Sequence, residues 1–158
     1  LVTFDNCFDV EVENRLTGAT GTFSGNWELL GCASTPLAKR IHVFRATVEA
    51  SFFWCAWSWD LTKEHLKRIK GQQSRLLRKM LRLKRDKGES VTDLIIRASS
   101  TLKNKLRDTD IRHEWWDERC VQLRLERGGH VARLGKLDPK RLASRIYSHF
   151  WTTTQSDK

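Results

Sequence analysis

The stretch from Lys63 to Lys87 joins two patterns that restrict how this chain can fold. Apolar residues recur there at helical spacing, and they are Leu66, Ile69, Leu76, Leu77, Met80 and Leu83. The same stretch holds eleven Lys or Arg residues against only Glu64 and Asp86, a net charge of +9, while the whole chain has a formal charge of +10. This pattern predicts one long amphipathic helix over residues 63–87, capped by Thr62, with an apolar face for the core and a basic face.

The predicted basic face suggests what this helix binds. The cations opposite the apolar residues are Lys67, Arg68, Arg75, Arg78, Lys79, Arg82 and Arg85. Acidic residues four positions away are nearly absent, so these cations are not neutralised within the helix. A regular helix from Lys67 to Arg85 would extend about 27 Å. Because like charges in a row repel each other and attract an external polyanion, we expect nucleic acid to bind there through its phosphates, without sequence choice.

Upstream of the basic stretch, apolar spacing predicts two further helices. In residues 9–30 the apolar positions are Val12, Leu16, Ala19, Phe23, Trp27 and Leu30. Three glycines in this segment each weaken a helix by up to about 1 kcal/mol, which makes it the least secure element. The second helix is predicted to have Thr35 as its N-cap and Pro36 as its first residue. Its apolar face consists of Leu37, Ile41, Phe44, Val48 and Phe52.

Downstream, cap signals and apolar spacing predict three more helices. Ser90 and Asp93 match a capping box ahead of a helix with apolar residues Leu94, Ile95, Ala98, Leu102 and Leu106. Another helix is predicted from Asp110 to Arg127, ended or kinked by Gly128-Gly129. Asp138-Pro139 opens a last short helix. Trp54, Trp57 and Trp59 lie among apolar neighbours and are predicted to be core, although such rings also serve as stacking surfaces for bases.

The fold class that follows is all-α. We expect an irregular, thumb-like bundle of five to six helices with one long basic amphipathic helix. Its parts are an N-terminal helical part with an aromatic core segment (1–62), the basic helix (63–87), a C-terminal helical part (88–150) and a frayed tail (151–158).

Composition excludes several classes of site. No run of about 18 apolar residues occurs, so no membrane span is expected. The four cysteines lie far apart without paired ligands, and neither a zinc site nor any other cofactor is expected. The chain starts without Met or a secretion signal, so we expect an intracellular protein, with the nucleus as one compartment, and a piece of a longer polypeptide.

Several short motifs, read in order, resemble one known family. They are Pro36-Leu37-Ala38-Lys39-Arg40, Phe44-Arg45-Ala46-Thr47-Val48, Ser51 to Thr62 with its Trp-Asp-Leu-Thr end, Gln73 to Leu81, and Gly129-His130-Val131-Ala132-Arg133. The series is similar to the region downstream of the polymerase palm in LINE-type (non-LTR) retrotransposon polyproteins. The resemblance covers residues 10–150 and implies a thumb-like helical segment that holds template RNA or an RNA/DNA duplex. It also singles out His130 and Arg133 as contacts to the nucleic-acid backbone.

The chain departs from that family at two places. Arg127 stands where family copies commonly have Trp. The aromatic-x-Asp-Asp turn of reverse transcriptases is absent, since no two Asp residues are adjacent anywhere. Two-metal phosphoryl transfer needs neighbouring carboxylates, so this chain is expected not to be an enzyme, although an intact parent would be an RNA-directed DNA polymerase. Asp138-Pro139-Lys140 matches Asp/Glu-x-Lys, the second half of a restriction-type endonuclease motif. Its first half, Pro-Asp, is absent, since neither proline is followed by Asp, so we interpret the match as accidental.

Two other interpretations remain open at this level. A basic amphipathic helix also suits a protein-interaction module that docks an acidic protein or an anionic membrane surface. A truncated, non-functional retroelement relic would equally carry these motifs. The sequence does not determine an oligomeric state.

Overall fold

The computed structural model describes residues 8–108 and 114–137, and every regular element in this part of the chain is helical. The elements are α1 (Phe8–Gly25), α2 (Trp27–Leu30), α3 (Leu37–Phe44), a π-helical turn (Arg45–Glu49), α4 (Ala50–Phe52), a 3-10 turn (Ala56–Ser58), α5 (Lys63–Met80), α6 (Val91–Arg107) and α7 (Trp116–Leu137). Since α3, the π turn and α4 follow one another without a break, they count as one helix, which gives six helices in the described residues. The prediction of an all-α bundle of five to six helices is confirmed. The predicted helix after Asp138-Pro139 and the predicted frayed tail (151–158) lie outside the described residues.

Helix α1 forms in spite of its three glycines. Its apolar stripe is buried as the spacing predicts, namely Val12, Leu16, Ala19 and Phe23. A β-carbon built on Gly18, Gly21 or Gly25 would meet no heavy atom within 4 Å, so these glycines are not required by close packing. Burial of the stripe therefore outweighs the low helix propensity of the other face.

The second predicted helix begins one residue later than expected. The carbonyl of Pro36 accepts the first helical hydrogen bond, from Arg40 N–H at 3.2 Å, so Pro36 is the N-cap and the prediction of Thr35 is wrong. Proline has no side-chain acceptor, and this helix start carries no side-chain cap. The predicted apolar stripe is buried through the π turn, at Ile41, Phe44, Val48 and Phe52.

Helix α5 begins at its predicted cap. The Thr62 hydroxyl accepts a hydrogen bond from His65 N–H, and the Thr62 N–H donates to His65 Nδ1, both at 3.2 Å. Since Nδ1 acts as an acceptor, a neutral His65 carries its proton on Nε2, which lies 2.6 Å from Asp9 Oδ1. The capping box therefore also ties the start of α5 to the start of α1.

Helix α5 ends at Met80, and the prediction of a helix to residue 87 is wrong. Arg82 adopts a left-handed conformation (φ 54°), its N–H donates to Lys79 O at 3.0 Å, and Leu83 N–H donates to Arg78 O at 3.1 Å. These two bonds form a Schellman motif, which closes a helix. Met80 is also the last fully buried residue of the stretch, and only the partly buried Leu81 packs against the core beyond it.

Helix α6 begins at Ser90 as predicted. The Ser90 hydroxyl accepts from Asp93 N–H at 3.1 Å and donates to the Asp93 carboxylate at 2.7 Å. The Asp93 side chain therefore bonds the Ser90 hydroxyl, whereas a capping box predicts a bond to the Ser90 N–H. Ala98, Leu102 and Leu106 are buried, but Ile95 is exposed.

Helix α7 starts at Trp116 and continues through Gly128 and Gly129 to Leu137. Of the two outcomes predicted for this glycine pair, an end or a kink, the end is therefore wrong. Residues 109–113, where its predicted start falls, lie outside the described part. Gly128 is buried, which places the glycine pair where the helix packs rather than where it terminates. Trp116, the first residue of the helix, is fully buried, whereas Trp115, which precedes the helix, is only partly buried.

The core is organised around the Trp116 ring. That ring stacks on Phe44 and Phe52, with centroid distances of 6.0 and 4.3 Å, and its Nε1 donates to Glu49 Oε1 at 3.0 Å. Trp59 is buried against Phe52.

The prediction that all three tryptophans of the 54–59 segment are core is wrong for two of them. Trp54 is 67% exposed and Trp57 is 43% exposed. Helix α4 ends at Phe52, and Cys55 has a left-handed backbone (φ 62°) in the turn that follows, which carries Trp54 and Trp57 before the chain returns to the core at Trp59.

Candidate nucleic-acid interface

The nine predicted contact residues fall into three places. Five lie on α5, and four of these, Lys67, Arg68, Arg75 and Lys79, are exposed, while Arg78 is half-buried. Arg82 and Arg85 are exposed in the connection after α5. His130 and Arg133 are exposed on α7.

Helices α1 and α5 lie side by side and run in the same direction. Successive contacts along the pair join Glu13 to Arg68, Thr20 to Gln72 and Phe23 to Lys79. The side of α5 that carries several of the predicted cations therefore borders the glycine-rich face of α1.

An open groove of about 750 Å³ lies along this boundary. We call it the α1–α5 groove. Its lining residues are Glu13, Leu16, Thr17, Thr20, Gly21 and Ser24 from α1, and Arg68, Gly71, Gln72, Arg75 and Arg78 from α5. A β-carbon on Gly21 or Gly71 would meet nothing within 4 Å, so the helix backbone is open to a ligand at both positions.

The groove carries cations without carboxylate partners. No carboxylate among residues 8–108 and 114–137 pairs with Arg75 or Arg78. The hydroxyl of Thr20 is engaged, since it accepts from Gln72 Nε2 at 2.6 Å and donates to Leu16 O at 2.8 Å. Guanidinium groups above open backbone and small hydroxyl side chains make a surface suited to anionic oxygens.

Other cations of the predicted stripe are already engaged. Arg68 forms an ion pair with Glu13. Lys70, a cation of α5 that is not among the predicted contacts, also has a partner, since its Nζ lies 3.1 Å from Asp117 Oδ2. The Lys79 ammonium lies 5.6 Å and 5.3 Å from the ring centroids of Phe23 and Trp27, a cation–π arrangement. Exposed ion pairs contribute little, about 0–1 kcal/mol, so an external phosphate can still compete for Arg68.

His130 and Arg133 are not brought to the groove. Helix α7 runs antiparallel to α5, because Asp117 meets Lys70 while Arg124 pairs at 2.6 Å with Asp60, which precedes α5. Arg133 then lies about 24 Å along α7 from Asp117, on the side away from the middle of α5. One surface patch therefore does not include all nine predicted residues.

A second cleft, of about 500 Å³, lies beside the π-helical turn. Burial raises the pKa of Glu49 above its usual value, and the hydrogen bond from Trp116 opposes that rise. Arg45 lies 3.6 Å from Glu49, and Arg119 lies 3.7 Å from Glu114. Since its charged groups face each other in pairs, we interpret this cleft as structural.

The α1 side of the groove is not among the residues predicted from the sequence. From the sequence, Gly21 is expected only to weaken the helix, although its place beside Thr17, Thr20 and Ser24, between buried apolar positions, is itself a signal of an open polar face. Gly71 is not among the predicted residues either, although it interrupts the basic stripe one turn from both Arg68 and Arg75.

Neither a protein-family model, nor a curated protein, nor a solved structure matches this chain. Within the described residues no group of three or more His, Cys, Asp or Glu side chains is placed to hold a metal ion. No described helix is both long and apolar enough to cross a bilayer.

Proposed function

We propose that this chain is a non-catalytic nucleic-acid-binding segment of a retrotransposon-derived polyprotein. It holds template RNA or a primer–template duplex by the phosphate backbone. The observation that carries the binding proposal is the pair Arg75 and Arg78, which line the α1–α5 groove without a carboxylate partner in the described part of the chain. The retrotransposon origin is supported by the ordered motifs of the sequence alone.

The physical basis is the chemistry of the phosphodiester group. Guanidinium groups donate two parallel hydrogen bonds to phosphate oxygens, and each contact releases counterions condensed on the nucleic acid. The open backbone at Gly21 and Gly71 lets a sugar-phosphate chain approach between the arginines. Contacts of this kind give affinity and register rather than sequence choice.

The cations contribute unequally in this proposal. Arg75 and Arg78 are the central contacts, and Lys67 extends the basic surface toward the start of α5. Arg68 contributes after its Glu13 partner is displaced. Arg82 and Arg85 extend the surface past the end of α5.

The first experiment reverses charge in the groove. Arg75→Glu together with Arg78→Glu is expected to weaken binding of a labelled RNA by about 100-fold, since two charge-assisted hydrogen bonds are lost. The slope of log affinity against log salt concentration is expected to become shallower by about 2. Fluorescence anisotropy at several salt concentrations measures both quantities.

The matched control is Lys103→Glu with Lys105→Glu. These residues are exposed on α6, far along the chain from the groove, and their reversal changes the net charge by the same amount. If the groove and control variants lose affinity equally, general charge rather than the groove explains binding. That result would overturn the proposal.

An uncharged variant tests the groove itself. Gly21→Leu fills it, whereas Gly18→Leu adds the same side chain to the same helix outside the groove lining. Both replace glycine in a helix and are expected to raise stability by up to about 1 kcal/mol. Only Gly21→Leu is expected to weaken RNA binding, by about tenfold.

Competition separates this proposal from a protein-docking surface. Heparin and unlabelled RNA are expected to displace labelled RNA from the wild-type chain. If neither heparin nor RNA binds, the alternative of a basic face for an acidic protein is favoured.

A further inference from the structure

Two tryptophans are held on the surface by an anchored turn. Trp54 is 67% and Trp57 is 43% exposed, while their neighbours Ala56 and Trp59 are buried at 1% and 2%. The turn is closed by hydrogen bonds from Ala56 N–H to Phe53 O at 3.0 Å and from Ser58 N–H to Cys55 O at 3.0 Å. The two indoles therefore project from a fixed base.

A cation covers one face of the Trp57 ring. The Arg127 guanidinium carbon lies 4.7 Å from the centroid of the Trp57 ring. No carboxylate in the described part of the chain pairs with Arg127. One turn away on α7, Arg124 pairs with Asp60 at 2.6 Å and fastens α7 to the segment that carries the tryptophans.

The surroundings favour an anionic occupant. Besides Arg124, whose charge is matched by Asp60, residues 124–133 of α7 carry Arg127 and Arg133, and their single acid, Glu126, pairs with Arg119. His130, one turn after Arg127, is exposed on the same stretch. Aromatic rings beside an unpaired cation match unstacked bases joined by phosphates, whereas an apolar protein segment or a lipid tail would leave Arg127 unpaired.

We propose that Trp54, Trp57 and Arg127 form a stacking platform for unpaired bases of single-stranded nucleic acid. This inference rests on the proposed function, because the α1–α5 groove supplies backbone affinity and the platform adds recognition of exposed bases. It also places His130 and Arg133 beside the platform rather than at the groove. The chain would then prefer single strands, since paired bases cannot present their faces.

The experiment uses the full chain and three probes: a 12-nucleotide oligothymidine, a strand of 12 abasic residues with the same phosphates, and heparin. The wild-type chain is expected to bind oligothymidine at least about tenfold more tightly than the abasic strand, given the usual contribution of base–aromatic stacking. Trp54→Leu and Trp57→Leu are each expected to reduce this preference while leaving abasic-strand and heparin affinity unchanged.

Ile96→Ala is the matched control, because Ile96 is an exposed apolar side chain on α6 that lies outside the platform. Circular dichroism melting verifies that each variant is folded. The platform proposal is overturned if the wild-type chain binds oligothymidine and the abasic strand equally. It is also overturned if the double variant Trp54→Leu, Trp57→Leu keeps the preference for oligothymidine. In both cases the groove proposal stands. If no probe binds the wild-type chain, the proposed function fails first.

Discussion

At the residue scale, Arg82 decides where the basic helix stops. Its left-handed backbone (φ 54°) places the N–H groups of Arg82 and Leu83 onto the last carbonyls of α5. A residue with a β-carbon is about 1–2 kcal/mol less stable in this conformation, and glycine is the residue usually found there. Because Arg82 occupies this position, no glycine in the sequence marks the end of α5. The next glycine, Gly88, instead suggests a helix end that is several residues too late.

Replacing Arg82 tests this account of the helix end. Arg82→Gly is expected to increase the free energy of unfolding by about 1 kcal/mol, because glycine relieves the left-handed strain. The measurement is the urea midpoint at unchanged slope. Arg85→Gly is the control, since Arg85 does not have a positive φ and should gain no stability. Equal midpoints for the two variants would contradict the strain.

At the element scale, α6 holds the α5–α6 connection through one side chain. The Arg97 guanidinium donates to Glu89 at 2.7 and 2.8 Å and to Lys84 O at 2.8 Å, and it lies 3.3 Å from Asp86. The hydrogen bonds from Arg97, and then the Asp86 N–H, lower the pKa of Glu89 to about 2. This clamp positions the connection that carries Arg82 and Arg85.

The clamp predicts a specific dependence on pH. Because the folded pKa of Glu89 is below its ordinary value, the Glu89 contribution is fully present above about pH 5 and is lost as the pH falls toward 2. Glu89→Gln is expected to be less stable than the parent at pH 6, and the difference should vanish near pH 2. Urea unfolding at pH 6, 4 and 2 measures it. Glu118→Gln, an exposed carboxylate on α7, serves as control, and a pH-independent difference for Glu89→Gln would exclude the clamp.

At the scale of the whole molecule, one core joins the helical segments. Buried side chains of α1, α2, the α3–α4 run, α5, α6 and α7 belong to a single cluster. Trp116 lies at its centre, between Phe44 and Phe52. A continuous core of this kind is expected to unfold in one cooperative transition, which a decayed fragment would not show.

A pair of tryptophan variants tests the centre of the core. Trp116→Ala is expected to lower the free energy of unfolding by about 3–5 kcal/mol, because it opens a cavity and leaves Glu49 without its indole donor. Trp54→Ala is expected to change it by less than about 0.5 kcal/mol, since that ring is exposed. Calorimetric melting compares the two. Similar losses would mean that Trp54 is packed in solution.

The sequence by itself determined the all-helical class, the apolar stripes of α1, the α3–α4 run and α5, and the caps Thr62 and Ser90. These features depend on local periodicity and on side chains within one helical turn, and both are specified by residues that are close together in the sequence. It also located Arg75 and Arg78, because their separation from the apolar face is a property of one helix.

Only the tertiary structure decided which cations are engaged, since Glu13, Asp117 and the Phe23 and Trp27 rings come from distant parts of the chain. It also decided where α5 ends, that Gly128 and Gly129 lie inside a helix, and that Trp54 and Trp57 face outward while Trp59 is buried. Burial and pairing are set by which elements meet, and that depends on the packing of the whole core rather than on spacing along any one segment.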